Sequence, residues 1–470
     1  MRAVAILLCL LMCLAPAVAW PQSPWLAVVG GTVIDGTGRP PQPNTTVLID
    51  DEHIFAVGPA DEVDVPTEAR ILDATGKWII PGLIDAHIHF FQSGDIYARP
   101  DIMDLRDVKP YAQEIEKVRE NLPQTFARYI ASGVTSVIDA GGPFWTFDVR
   151  ALAERIPRAP RVAVTGPLLS SGAPQKLQDL DDPPIIPVAT PEEGRAAVDR
   201  LLAYKPDSIK IWLVSGKRDL ETEMAWVRAV IAAARAADVP VMVHATERAM
   251  ARAVVAAGAD ILTHSIRDRP IDDGLLAMMR DNKVVYTTSL VVDESYRQVF
   301  GGRVEFLDIE RRLGNPAAIG SLMRQNAGTL DLVAPEQPQA AALRGPDPMA
   351  ADNLRRVLAR GITIAAASDA GNIGTLHGPA LHRELELTVE AGLTPMQALT
   401  AATRGGASAM RRLDELGSLE AGKLADLVVL DRDPLADISN TQAIYRVVKG
   451  GQIFDPDEIA AELRKNKQDP

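Results

Sequence analysis

A chain of 470 residues is too long for one small core and suits a large central domain with a smaller companion. With 47% hydrophobic and 24% charged residues the composition is that of a soluble globular protein. The formal net charge of -13 argues against nucleic acid or an anionic membrane surface as partner, but does not choose among small substrates.

Met1-Arg2 precedes an apolar run from Ala3 to Leu14, which ends in Ala15-Pro-Ala-Val-Ala19. A basic start, a short apolar core and an Ala-x-Ala ending predict a signal peptide over residues 1–19, cleaved after Ala19, and a periplasmic or secreted product. The run is too short to span a bilayer in the usual way, so no integral membrane span is expected in the mature chain. An uncleaved N-terminal anchor is the alternative. Both cysteines, Cys9 and Cys13, lie in this segment. The mature chain therefore has no disulfide or thiolate chemistry to use.

Residues 20–80 alternate short apolar segments with turn residues. Leu26-Ala-Val-Val29, Thr46-Val-Leu-Ile49, His53-Ile-Phe-Ala-Val57 and Lys77-Trp-Ile-Ile80 read as strands, punctuated by Gly30-Gly31, Asp35-Gly36 and Gly58-Pro59. The same style returns over 414–454, in Leu424-Ala-Asp-Leu-Val-Val-Leu430 and Ile444-Tyr-Arg-Val-Val-Lys449. Two β-rich pieces at opposite ends predict one small β-sandwich built from both termini. Residues 455–470 predict a charged helical tail.

Between them, over 81–413, short apolar runs alternate with Ala/Glu/Arg-rich helical stretches. Eight such runs stand at Gly82–His89, Val134–Ala140, Arg161–Thr165, Ser208–Leu213, Val239–His244, Asp260–Ser265, Lys283–Ser289 and Ile362–Asp369. Helices are predicted over Pro191–Ala203, Leu220–Ala237, Glu247–Ala257 and Pro348–Ala359. Eight βα units predict an α/β chain folded as a (β/α)8 TIM barrel, with an open doubly wound sheet as the alternative. The connections Phe90 to Leu122 and Leu290 to Gly345 are long enough to be lids or substrate loops over the mouth.

Four of the seven histidines, with a lysine and an aspartate, fall in these runs or at their C-terminal ends: His87, His89, Lys210, His244, His264 and Asp369. Period two puts Asp85, His87 and His89 on one face of the first run. Nitrogen and carboxylate groups converging at strand ends suit zinc or a similar divalent ion. A lone His-x-His pair means little, since most strand-end histidines are hydrogen-bonded core or surface residues; the set carries the inference. Lys210 sits between Ile209 and Ile211 and points inward by alternation. There desolvation and nearby positive charge favour the neutral amine, which can take up CO2 as a carbamate and bridge two metals. The plain alternative pairs it with an inward acid such as Asp85 or Asp139.

Pro81-Gly-Leu-Ile-Asp-Ala-His-Ile-His89 resembles the opening motif of the amidohydrolase superfamily. Val243-His-Ala245, Thr263-His-Ser265 and Ser368-Asp-Ala-Gly371 resemble its later strand ends, and Leu416-Gly-Ser-Leu-Glu-Ala-Gly-Lys-Leu-Ala-Asp-Leu-Val-Val429 its C-terminal signature. The resemblance covers nearly the whole mature chain. It implies His87 and His89 on a more buried metal, His244 and His264 on a more exposed one, and carboxylated Lys210 between them. Asp369 would bind the buried metal and act as general base, then acid. Two divalent ions, zinc first among them, would lower the pKa of a bridging water and polarise the scissile carbonyl.

The imidazolonepropionase-like and prolidase-like branch is the most similar, through Ser208-Ile-Lys-Ile211, Leu376-His-Gly378 and Glu384-Leu-Glu386. His377 is a candidate substrate contact there, set against a capping or surface role. The chain departs where Ala-Thr-Glu247 follows His244 and where Ser-Ile-Arg-Asp-Arg-Pro270 follows His264, so the substrate is not fixed. Arg248, Arg267 and Arg269 are candidate carboxylate binders, although loop arginines are usually solvated.

The expectation is a two-metal hydrolase of an amide bond in a dipeptide, N-acyl amino acid or related small molecule. A one-metal cyclic-amide hydrolase, imidazolonepropionase-like, or a deaminase is the alternative on the same fold, and Lys210 discriminates between them. A non-catalytic binding protein would typically have lost ligands, whereas all six positions are filled. Composition is compatible with a single chain or a homo-oligomer.

Overall fold

The computed structural model describes residues 24–214, 218–326 and 344–465. The expected signal peptide, with Cys9 and Cys13, and the last residues of the charged tail lie outside that set.

Strands from the two chain ends share one mixed sheet. Trp25–Val33 lies between Gln42–Asp50, to which it is antiparallel, and Trp78–Pro81, to which it is parallel. His53–Pro59 extends the sheet beyond Gln42–Asp50. On the other side Leu427–Leu430 pairs antiparallel with Trp78–Pro81, followed by Ile444–Lys449 and Gln452–Phe454. Arg70–Asp73, which the sequence reading missed, pairs parallel with Trp25–Val33. Leu26, Val28, Val47, Ile49, Leu427 and Val429 bury one face in a core of their own. The period of two along each strand places these residues on that face. The residues between them, such as Ala27, Leu48 and Val428, are apolar and buried as well, and this burial holds the two ends together.

All eight predicted central runs contain parallel strand. The first three, Leu83–Ile88, Val134–Asp139 and Arg161–Val164, form a three-stranded sheet. The other five, Ile209–Trp212, Val241–His244, Ile261–Thr263, Val285–Thr287 and Ile364–Ala365, lie in a seven-stranded sheet. Its remaining strands, Leu168–Ser170 and Ile185–Pro187, were not anticipated; each has only three residues, too few to show a period.

Main-chain bonds cross both seams between these sheets. At one, Asp207 N–H donates to Val164 O at 2.9 Å. At the other, Ala86 N–H donates to Ala366 O at 3.0 Å, Asp369 N–H to His87 O at 2.8 Å and His89 N–H to Ala370 O at 2.8 Å.

The helices start where the sequence supplies caps. Thr190 and Glu193 form a capping box ahead of Pro191–Leu202, Asp219 caps Leu220–Ala236, and Asp347 caps Pro348–Ala359. Arg248–Ala257 ends at Gly258, whose φ of 100° a side chain would oppose. Trp226, Val227 and Val230 of the second of these helices pack with Ile209 and Ile211 in the largest core, leaving Lys210 to the opposite face. Among the described residues no helix is long and apolar enough to cross a membrane.

Gly371 matters to the second seam. Its φ is 108°, and a Cβ there would lie 2.4 Å from His89 O. Gly371→Ala is expected to cost about 1–3 kcal/mol from backbone conformation alone. The clash should also displace His89. Urea denaturation and metal affinity measured together should both weaken; unchanged metal affinity would contradict this account of the seam.

Candidate metal and catalytic site

The short strands deliver their terminal side chains to one cavity of about 250 Å3. His87, His89, Lys210, His244, His264 and Asp369 all line it. His87 Nε2 and His89 Nε2 stand 3.3 Å apart. Asp369 Oδ1 is 3.6 Å from the first and 3.2 Å from the second. One ligand atom from each of these three residues lies within 4.8 Å of the others. His264 Nδ1 approaches Asp369 Oδ2 at 3.9 Å, and the His244 ring lies 4.5 Å from the His264 ring. Lys210 Nζ donates to Thr263 Oγ1 at 2.7 Å and lies 3.5 Å from His87 Nε2. Neither Asp85 nor Asp139, the acids weighed as plain partners, forms an ion pair with it among the described residues.

The electrostatics of this cluster suit a cation. Burial drives His87 well below the ordinary histidine range, helped by the Lys210 charge, and does the same to His244 with His264 beside it. His264 falls to about 3, chiefly through burial. Burial works against ionised Asp369, but His87, His89 and His264 outweigh it and hold the carboxyl well below its usual range. Burial lowers Lys210 to about 7, with Asp369 opposing. Metal binding requires imidazoles in the neutral form toward which burial biases His87, His244 and His264.

Two buried atoms, Asp369 Oδ1 and His87 Nδ1, lack a hydrogen-bond partner. The donor set and the unsatisfied Asp369 oxygen thus fit a divalent ion. His89 is oriented for it: Nδ1 donates to Gly141 O at 2.7 Å, which leaves Nε2 as the free donor atom.

Three of the nine non-glycine residues with positive φ among the described residues stand at the site. His264, Ser289 and Asp369 are non-glycine residues at φ of 71°, 48° and 57°. Such conformations cluster at sites where the surroundings over-determine them. Asp85 supplies part of that support by accepting from Ser368 N at 2.9 Å and from Ser368 Oγ. Burial raises Asp85 to about 7.

His377 stands apart. Its Nε2 donates to His89 O at 3.1 Å, its ring stacks on Phe90, and it lines a second, smaller cavity with Asp95 and Glu114. Rather than facing the cluster's cavity, it braces the His89 backbone from behind. Of the loop arginines, Arg267 reaches the cavity but pairs with Asp293, whereas Arg248 and Arg269 pair with Asp272 and Asp268.

The two long connections supply residues that the sequence did not single out. Arg99, from the first, makes a two-pronged pair with Asp101 at 2.9 and 2.7 Å and donates to Asn372 Oδ1 at 2.5 Å. Tyr296, from the second, donates to the same oxygen at 2.7 Å. Their position in long post-strand loops was the only signal.

A match to the Amidohydrolase family extends over residues 78–454. The chain belongs to that family. It is a metal-dependent hydrolase of carbon–nitrogen bonds. This amidohydrolase is 25% identical over 425 residues to an imidazolonepropionase of Methylobacterium sp. (strain 4-46), covering 84% of this chain and 88% of the relative. Its fold is similar to that of a Xaa-Pro dipeptidase solved with methionine in the active site, at 23% identity and a TM-score of 0.68, with 92% and 100% of the two chains covered. It is also similar to that of molinate hydrolase, at 23% identity and a TM-score of 0.70, with 93% and 96% covered.

The helix Leu290–Phe300, which carries Tyr296, is held from behind by Glu384. That carboxyl accepts from Leu290 N at 3.0 Å, from Val291 N at 2.7 Å and from Thr288 Oγ1. Burial raises Glu384 from 4.5 to about 7. Its stabilising contribution is therefore complete below pH 4.5 and is lost as pH rises through 7. Glutamine does not titrate. The Tm advantage of the wild type over Glu384→Gln should thus shrink by about 2 °C or more between pH 5 and 8. Thermal melts across that range check it, and a widening gap would contradict it.

Proposed function

We propose that this amidohydrolase is an exported two-metal enzyme that cleaves the amide C–N bond of a small substrate such as a dipeptide or N-acyl amino acid. One observation carries the reading: His87, His89 and a buried, unpartnered Asp369 oxygen converge within 4.8 Å, with Lys210 Nζ 3.5 Å from His87. His87, His89 and Asp369 would hold the more buried ion, and His244 and His264 the more exposed one. The Lys210 amine, which burial biases toward its neutral form, would add to CO2 with loss of one proton. The resulting carbamate would offer two oxygens to such ions. Zinc suits this nitrogen and oxygen set.

When bound, such ions make a nucleophile of water at neutral pH and polarise the scissile carbonyl. Asp369 takes a proton from the attacking water and returns it to the leaving nitrogen. His89, fixed by Gly141, and Asp369, fixed by Asp85 through Ser368, keep the reacting geometry.

Main-chain bonds across both seams support closure of the parallel strands into a (β/α)8 barrel over residues 81–413. The mixed sheet shared by strands from both chain ends supports a companion β-sandwich domain. Residues 1–19 direct export to the periplasm or beyond, which predicts Trp20 as the first residue of the mature chain.

A one-metal, cyclic-amide hydrolysis reading is favoured by the Lys210–Thr263 hydrogen bond, which gives the lysine a partner without a second metal. Elemental analysis of zinc-supplemented protein decides. Two ions per chain are expected, falling to one in Lys210→Ala, with activity on N-acyl amino acids lost by roughly 100-fold or more. Asp369→Asn should lower kcat by about 10²–10⁴. A single ion, together with full turnover in Lys210→Ala, selects the cyclic-amide reading.

A further inference from the structure

One stretch of the cavity lining is wholly apolar, while the remainder mixes polar groups with apolar residues such as Phe91, Ile102, Leu290 and Val292. Every lining residue contributed by segments 168–185 and 212–214 is apolar: Leu168, Leu177, Pro184, Ile185, Trp212 and Val214. The charged groups outside the cluster, Arg99, Arg267, Asp293 and Asp347, come from the loops after the first, sixth and seventh strands and from the start of helix Pro348–Ala359.

The apolar wall is built as a unit. Leu168–Ser170 and Ile185–Pro187 pair in parallel, helix Gln175–Gln178 lies between them in the chain, and Leu168, Leu177 and Ile185 share a cluster with Tyr111 against which Trp212 packs. Ser170 Oγ donates to Trp212 O at 2.8 Å and ties this insertion to the Lys210 strand. Trp212 lies two residues beyond Lys210 and so faces the same way, lining the same cavity.

We propose that this wall is a specificity subsite for one large, uncharged apolar group, aliphatic or aromatic, attached on one side of the scissile C–N bond. A charged group at that position would lose its hydration with no partner to replace it. The proposal rests on the hydrolytic reading of the cluster given above and adds to it the class of substrate.

The test uses the zinc-loaded full chain and a series of N-acyl-L-alanines bearing acetyl, butanoyl, hexanoyl, phenylacetyl and succinyl groups. Calorimetric titration of Asp369→Asn gives affinities without turnover, and wild-type kcat/KM gives the same order under turnover. Each added methylene should raise affinity by about fourfold until the wall is filled. Succinyl-alanine should bind at least about tenfold more weakly than butanoyl-alanine. Ile185→Asp should erase the chain-length dependence, and Ile185→Ala should move the optimum to longer chains.

Affinity independent of acyl length in the parent protein overturns the subsite, even if neither variant folds. Affinity that climbs with acyl length while no member of the series is hydrolysed overturns the hydrolytic reading and leaves the subsite standing. Hydrolysis with a flat affinity profile does the reverse.

Discussion

The hydrogen bond from Asp369 N–H to His87 O, across the seam between the first and last central strands, is the constraint on which the site turns. It joins the two chain segments that bring the carboxylate and the His-x-His pair together. Asp369 meets it in a left-handed conformation that an aspartate does not favour. Asp85 holds Ser368, Gly371 lets His89 O come close, and His377 bonds that same oxygen from behind. Each of these contacts opposes relaxation of the strained turn. A buried carboxylate facing two imidazole nitrogens therefore stays in place before any ligand arrives, the sense in which such a site is preorganised.

Much of this was legible in the sequence for a definite reason. Chemistry in alternating α/β architectures collects at strand ends, so His87, His89, His244 and His264 announced themselves by position as much as by residue type. Lys210 stood out because a cation flanked by Ile209 and Ile211 has to be explained. Strand positions followed from short apolar runs and helix positions from Ala/Glu/Arg-rich stretches, and neither needed long-range information.

What was not legible depends on contacts between distant segments. Arg99 and Tyr296 meet at Asn372, and nothing local marks any of the three. The strands Leu168–Ser170 and Ile185–Pro187 are too short to carry a pattern, yet they supply the apolar wall. His377 follows Asp369 closely in the chain, which suggested the substrate side. The turn between them instead carries it to the far side of the His89 backbone.

The mixed sheet has a consequence in time as well as in space. Leu427–Leu430 fills the gap between Trp78–Pro81 and Ile444–Lys449, so strands from the start of the chain depend on strands from its end. No segment emerging early can complete that sheet. Long-range pairing of this kind is slow and leaves strand edges open until it forms. For a polypeptide made from its N-terminus, or threaded through a membrane in that direction, Trp78–Pro81 must wait unpaired on one flank until Leu427–Leu430 has come through. The joint that fastens the finished protein is thus also the last step of its assembly, and the interval before it forms is when the chain is most exposed to aggregation and to proteases.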